Sequence, residues 1–84
     1  MDAPQPVAIT IRHPVTAGGE THTTLTMRPP RARDSRDAQR GGGASADVEI
    51  RLFANLCEVA PAAIEELHMV DYQQLQAAFE GFLS

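Results

Sequence analysis

DVEIRLFANLCEVAPAAIEELHMVDYQQLQAAFEGFLS (residues 47–84) holds most of the bulky apolar residues of this 84-residue chain and repeats them at helical spacing. Toward its end, Tyr72, Leu75, Phe79, Phe82 and Leu83 stand at i, i+3, i+7, i+10 and i+11, with Ala78 beside them, so one side of a final helix is apolar. Asp71 suits the N-cap of that helix. Gln74 three residues on completes a capping box, and Val70 with Leu75 forms a hydrophobic staple. A longer helix is predicted to open near Ser45 or Asp47. Val48, Leu52, Leu56 and Val59 form its apolar stripe, Ile50, Phe53 and Cys57 widen it, and Arg51, Asn55 and Glu58 share the opposite side. Pro61 ends that helix and suits the first turn of a short third one, whose inward residues are Ile64 and Leu67. Isolated helices shorter than about 12–15 residues are marginal in water, so these three pack on one another or on a partner.

Upstream, Val7, Ile9 and Ile11 alternate with Ala8, Thr10 and Arg12, the period of a half-buried strand. Pro14 argues for an edge or a bulge. Gly18-Gly19 supplies a hairpin turn, and Thr23, Leu25 and Met27 alternate with Thr24, Thr26 and Arg28 on the return. A lone hairpin is unstable, so Val7, Ile9, Ile11, Leu25 and Met27 are expected to rest on the helices. Arg31–Ala46 has no bulky apolar residue and contains Gly41-Gly42-Gly43. Arg33–Arg40 has the content for a helical turn or two at most, and a mobile linker is expected. The expected organisation is one small α+β domain: a β-hairpin over 7–28, a flexible Arg/Gly-rich linker over 29–46, and a three-helix module over 47–84.

The formal charge of −4 is unevenly placed. Arg28, Arg31, Arg33, Arg36 and Arg40 face only Asp34 and Asp37 over residues 28–46, a net +3, whereas residues 47–84 carry a net −6. A chain of this size buries only about 60–65% of its extended surface, so a partner or a second copy could supply further burial. The single cysteine, Cys57, excludes an internal disulfide and a cysteine zinc cage, and its helical position suits a small buried hydrophobe. His13, His22 and His68 have no metal-ligand spacing, so no metal and no cofactor are expected. No run is long and apolar enough to span a membrane, and residues 1–6 lack signal-peptide character, which makes a cytoplasmic protein the simplest expectation. The triple glycine has no Lys-Ser/Thr after it and does not follow a strand, unlike a phosphate loop. The arginines have no aromatic residues among them, so nucleic acid is a disfavoured partner, and an arginine-based regulator is kept as an alternative. Glu65 and Glu66 argue against a DNA-reading helix, and no residue set suits catalysis.

Two stretches carry a resemblance: ITIRHPVTAGGETHTTLTMRPPRARD (9–34) and LCEVAPAAIEELHMVDYQQLQAAFEGFLS (56–84). A strand ending in His13-Pro14, a turn at Gly19, Arg28-x-Pro30 followed by Asp34, and then Pro61, Leu67, Asp71-Tyr72, Leu75 and Phe82-Leu83 resemble the E-type phage tail assembly chaperones of contractile-tailed phages and Mu-like prophages. Relatives tend to continue with apolar residues after the aspartate, and this chain does not, so any helix the family has there is expected to be lost. The resemblance implies a non-enzymatic protein of the host bacterial cytoplasm that binds the tape-measure protein during tail assembly and is absent from the mature virion. It also implies possible self-association and a frameshift-extended form. A structural tail component is the second alternative. Tyr72, Leu75, Phe79, Phe82 and Leu83 are the candidate partner-binding residues, part core and part exposed face.

Overall fold

A computed structural model describes residues 3–84. The elements run β1 (Val7–Ala17), β2 (Glu20–Met27), α1 (Ala32–Arg40), α2 (Ser45–Cys57), α3 (Pro61–Glu65) and α4 (Met69–Leu83). The protein is α+β, a two-stranded antiparallel hairpin laid against helices. Gly18 (φ +59°) and Gly19 (φ +82°) make the turn, a left-handed pair that any side chain would strain. Val7 pairs with Met27 and Thr10 with Thr24, then the register breaks until Val15 meets His22. This irregularity sits where Pro14 predicts it, and Ile11 and Val15 on either side of it are both buried. Ile9, Ile11, Leu25 and Met27 are buried as expected, but Val7 remains 37% exposed at the strand's start.

The core gathers Met27, Phe53, Leu56, Ile64 and Leu75, all nearly inaccessible. Phe53 is its centre, with the rings of Tyr72 and Phe79 tilted against it at 5.6 and 5.8 Å. Phe53, Ala54, Leu56 and Cys57 are the inward face of α2, while Val48 and Leu52 of the predicted stripe stay half-buried. Pro61 occupies the first turn of α3, as its missing N–H favours. Burial pushes the Cys57 thiol up to about 11, which fits a packing residue rather than a nucleophile.

Two expectations need correction. The segment expected to be a flexible linker over 29–46 contains the helix α1 across Ala32–Arg40. Its anchors are electrostatic, which explains why apolar periodicity does not reveal it. Asp34, in the first turn, accepts the Arg31 backbone N–H at 2.8 Å and two hydrogen bonds from the Arg28 guanidinium at 2.8 and 2.9 Å. At the far end, Arg51 of α2 donates to the Ala38 carbonyl at 2.9 Å and to the Gly42 carbonyl, placing a cation on the helix C-terminus. Arg51 is therefore half-buried and structural, not part of a solvated side.

The second correction concerns the start of the last helix. α4 begins at Met69 with His68 as N-cap, so Asp71 is not the cap but the third helical residue. Its carboxylate leaves its own helix to accept the backbone N–H groups of Arg12 at 2.9 Å and His13 at 3.0 Å, inside the irregular part of β1. Those amides have lost their ladder partners, so a buried carboxylate satisfies them. Gln74 donates to Asp71 at 2.9 Å and to the Thr10 carbonyl at 3.2 Å, tying the same turn to the strand. Val70 is 37% exposed and is no staple.

Candidate functional site

The hairpin is clamped to the helical layer at both strands. At the β2 end, the Arg28 N–H donates to the Leu56 carbonyl at 3.0 Å while its side chain holds Asp34. The Arg28 hydrogen bond is the main reason that Asp34 is held below the ordinary carboxylate range, and Arg28 is raised in return. At the β1 end, burial alone would raise Asp71, but the Arg12 and His13 amides, the Gln74 side chain and the nearby His13 together hold it low. The His13 ring stacks on His68 at 4.4 Å, closing the same junction. These groups are occupied in holding the fold.

Beside the Arg28–Asp34 clamp the helical layer is open. Pro30, Arg31, Ala32, Ser35, Leu52, Phe79 and Leu83 line a crevice of about 310 Å³ between the start of α1, the middle of α2 and the end of α4. A second depression of about 480 Å³, lined by Gln39, Gly42, Gly43, Val48, Glu49 and Leu52, lies alongside. The two meet at Leu52. Together they form one groove: Ala32, Ser35 and Gln39 of α1 make one wall, and the apolar residues of α2 and α4 make the floor. Leu83 is 67% exposed, more than any other large apolar residue that lines it.

The five sequence-predicted residues divide. Phe79 and Leu83 line the groove. Leu75 is fully buried under the hairpin. Tyr72 packs on Phe53, and its hydroxyl donates to Glu49; burial, then that carboxylate, raises its pKa. Phe82 is half-buried against the core. Val48 and Leu52 are groove residues that the sequence reading assigned to the core stripe, and their i, i+4 spacing is the signal that marks them as one strip. Ala32 and Ser35 carry no apolar signal at all.

Three of the five arginines between Arg28 and Arg40 are engaged. Arg28 holds Asp34, while Arg36 and Arg40 share Asp37 at 3.4 and 3.5 Å. Arg31 and Arg33 have no carboxylate partner among the described residues. Nor do those residues bring three or more His, Cys, Asp or Glu side chains together in a way that could hold a metal ion. No described helix is long and apolar enough to cross a membrane.

Fold and surface thus define a small α+β protein whose hairpin is bolted to a helical layer by two buried carboxylates and whose last helix leaves an apolar groove open. The family described as phage tail assembly chaperone proteins, E, or 41 or 14, matches residues 8–84, and the chain belongs to that family. Comparison with curated proteins and with solved structures finds no match. The resemblance read from His13-Pro14, Arg28, Asp34 and Asp71-Tyr72 is therefore correct at the level of the family.

Proposed function

We propose that this tail assembly chaperone binds the tape-measure protein of its phage while the tail tube forms, and that it does so through the open groove. The observation that carries the reading is Leu83, 67% exposed beside half-buried Phe79 and Leu52; Met69 is as open, at 65%, but lines none of the groove, so Leu83 is the exposed residue that belongs to a concave apolar surface. A tape-measure protein exposes long apolar helix surface before assembly, and copies of a small module side by side would shelter it. Contractile-tail membership, residence in the host cytoplasm, absence from the finished virion, self-association and a frameshift-extended form belong to the same proposal. The role is one of binding, without catalysis.

Co-expression with the tape-measure protein tests the proposal. A soluble complex that co-elutes through two columns is expected, and purified particles should contain the tape-measure protein without the chaperone. Two proteins that purify apart would overturn the reading.

A further inference from the structure

We infer that the groove accepts an amphipathic helix whose edge against α1 is lined with carboxylates. This deepens the proposed function and rests on it. α1 spans nine residues, so its wall is about 13 Å long at about 1.5 Å per residue, room for roughly two and a half turns of a docked helix. Such a helix presents apolar anchors at i, i+3 or i+4 and i+7. The wall it would lie against is Ala32, Ser35 and Gln39, spaced i, i+3 and i+7, with small side chains at the two positions beside the deeper crevice, so a second helix can approach closely.

The charge on the rim sets the partner's chemistry. Arg31 lines the mouth of the crevice. Helical spacing puts Arg36 four residues beyond Ala32 and Arg40 four beyond Arg36, along the outer edge of the same wall. All three are exposed, and Asp37 is the only acid paired with any of them among the described residues. On the opposite side, Glu49 is already engaged by Tyr72 and Gln76. An occupant with acids on the α1 side meets Arg31, which has no carboxylate partner among the described residues, and the Arg36–Arg40 pair, which shares the single carboxylate of Asp37 and so keeps a net positive charge, whereas one with lysines there meets like charge. Phosphodiester chains suit the rim but not a floor of Leu52, Phe79 and Leu83, so a polypeptide is the occupant.

The test uses labelled synthetic peptides tiled across the tape-measure protein, titrated against the full chain by fluorescence polarisation. Bound tiles should be helix-forming, with acidic residues flanking one side of an apolar ridge. Arg31→Glu with Arg36→Glu should weaken them about tenfold, mainly through association rate, and remove the fall in affinity with added salt. Leu83→Asp should abolish binding while the chain's thermal unfolding stays unchanged. Bound tiles with a basic edge, or variants that bind like the parent, overturn the inference. A parent chain that sediments as a dimer split by Leu83→Asp, and that binds no tile, also overturns it by showing a second copy in the groove. Co-purification of the full tape-measure protein separates the two claims. If all three substitutions together leave it intact, the groove assignment falls and the chaperone reading stands; if the parent chain fails to co-purify, both fall.

Discussion

Two stretches of one face of α4, Asp71 to Leu75 and Phe79 to Leu83, meet opposite fates. Asp71 and Leu75 are sealed at 1% exposure beneath the hairpin, whereas Leu83, two turns further on, is 67% exposed. The helix is equally apolar along this face. What differs is the element across from it: β1 covers the early turns, whereas the last ones face a crevice bordered by Pro30, α1 and Leu52 of α2. Periodicity therefore tells which side of a helix is apolar, while the covering element decides whether that side is core or docking surface. Several of the residues that carry the family resemblance belong to the clamps that join hairpin and helices. His13, Arg28, Asp34, Asp71 and Leu75 all hold hairpin to helices, so the pattern encodes a shared architecture more than a shared contact face.

The largest effect should come from cutting the sealed end. Asp71→Ala removes the acceptor of two backbone amides, and hydrogen bonds to a charged group are worth about 1.5–3 kcal/mol each. A loss of about 4 kcal/mol is expected, at least a third of the roughly 4–12 kcal/mol usual for a domain this small. Urea unfolding followed by circular dichroism measures it, and a loss below about 1 kcal/mol would mean that water replaces the carboxylate. Leu75→Ala, one turn on, should cost about 3 kcal/mol as a buried cavity opens. Its urea midpoint should fall with little change in slope.

Acid should loosen both clamps. Asp71 and Asp34 titrate lower in the folded chain than in the unfolded one. Their contribution is complete above the unfolded carboxylate value, about 3.9, and is lost as pH falls through their lower folded values, because the unfolded chain binds more protons in that window. The urea midpoint is thus expected to hold steady from neutrality to about pH 4.5 and then drop. Asp71→Asn should start lower and fall less steeply, so that the gap between the two chains narrows with acid. A constant gap would show that the Asp71 carboxylate is not held low.

Much of this architecture is legible in the sequence, and the parts that are not share a cause. The alternation of Ile9, Ile11, Leu25 and Met27, the Gly18-Gly19 turn, the Pro14 irregularity and the Pro61 helix start each depend on a local rule and appear where the rule puts them. α1 does not, since Asp34, Arg28 and Arg51 hold it across distances that no periodic pattern records. Asp71 reads locally as a cap because aspartate near a helix start usually is one; only the unpaired amides of β1, far away in sequence, redirect it. The groove is partly legible. Phe79 and Leu83 belong to the predicted face, but its far wall is made of residues from the segment expected to be unstructured.

The smallest expected effect on stability is the sharpest test of the comparison. Leu83→Ala changes the same residue type, on the same helix and nominally the same face, as Leu75→Ala. Leucine and alanine differ little in helix propensity, and Leu83 lies in the last turn, where helices fray. With about two thirds of its surface already in water, truncation removes little burial, so the urea midpoint should move by no more than about 0.5 kcal/mol. The two leucines would then differ roughly sixfold in what they contribute to the free chain. The order should reverse in the assembled state, where loss of Leu83 weakens the tape-measure complex. If Leu83→Ala instead costs more than about 1 kcal/mol in the isolated chain, Leu83 is core like Leu75, and the groove closes on itself rather than on a partner.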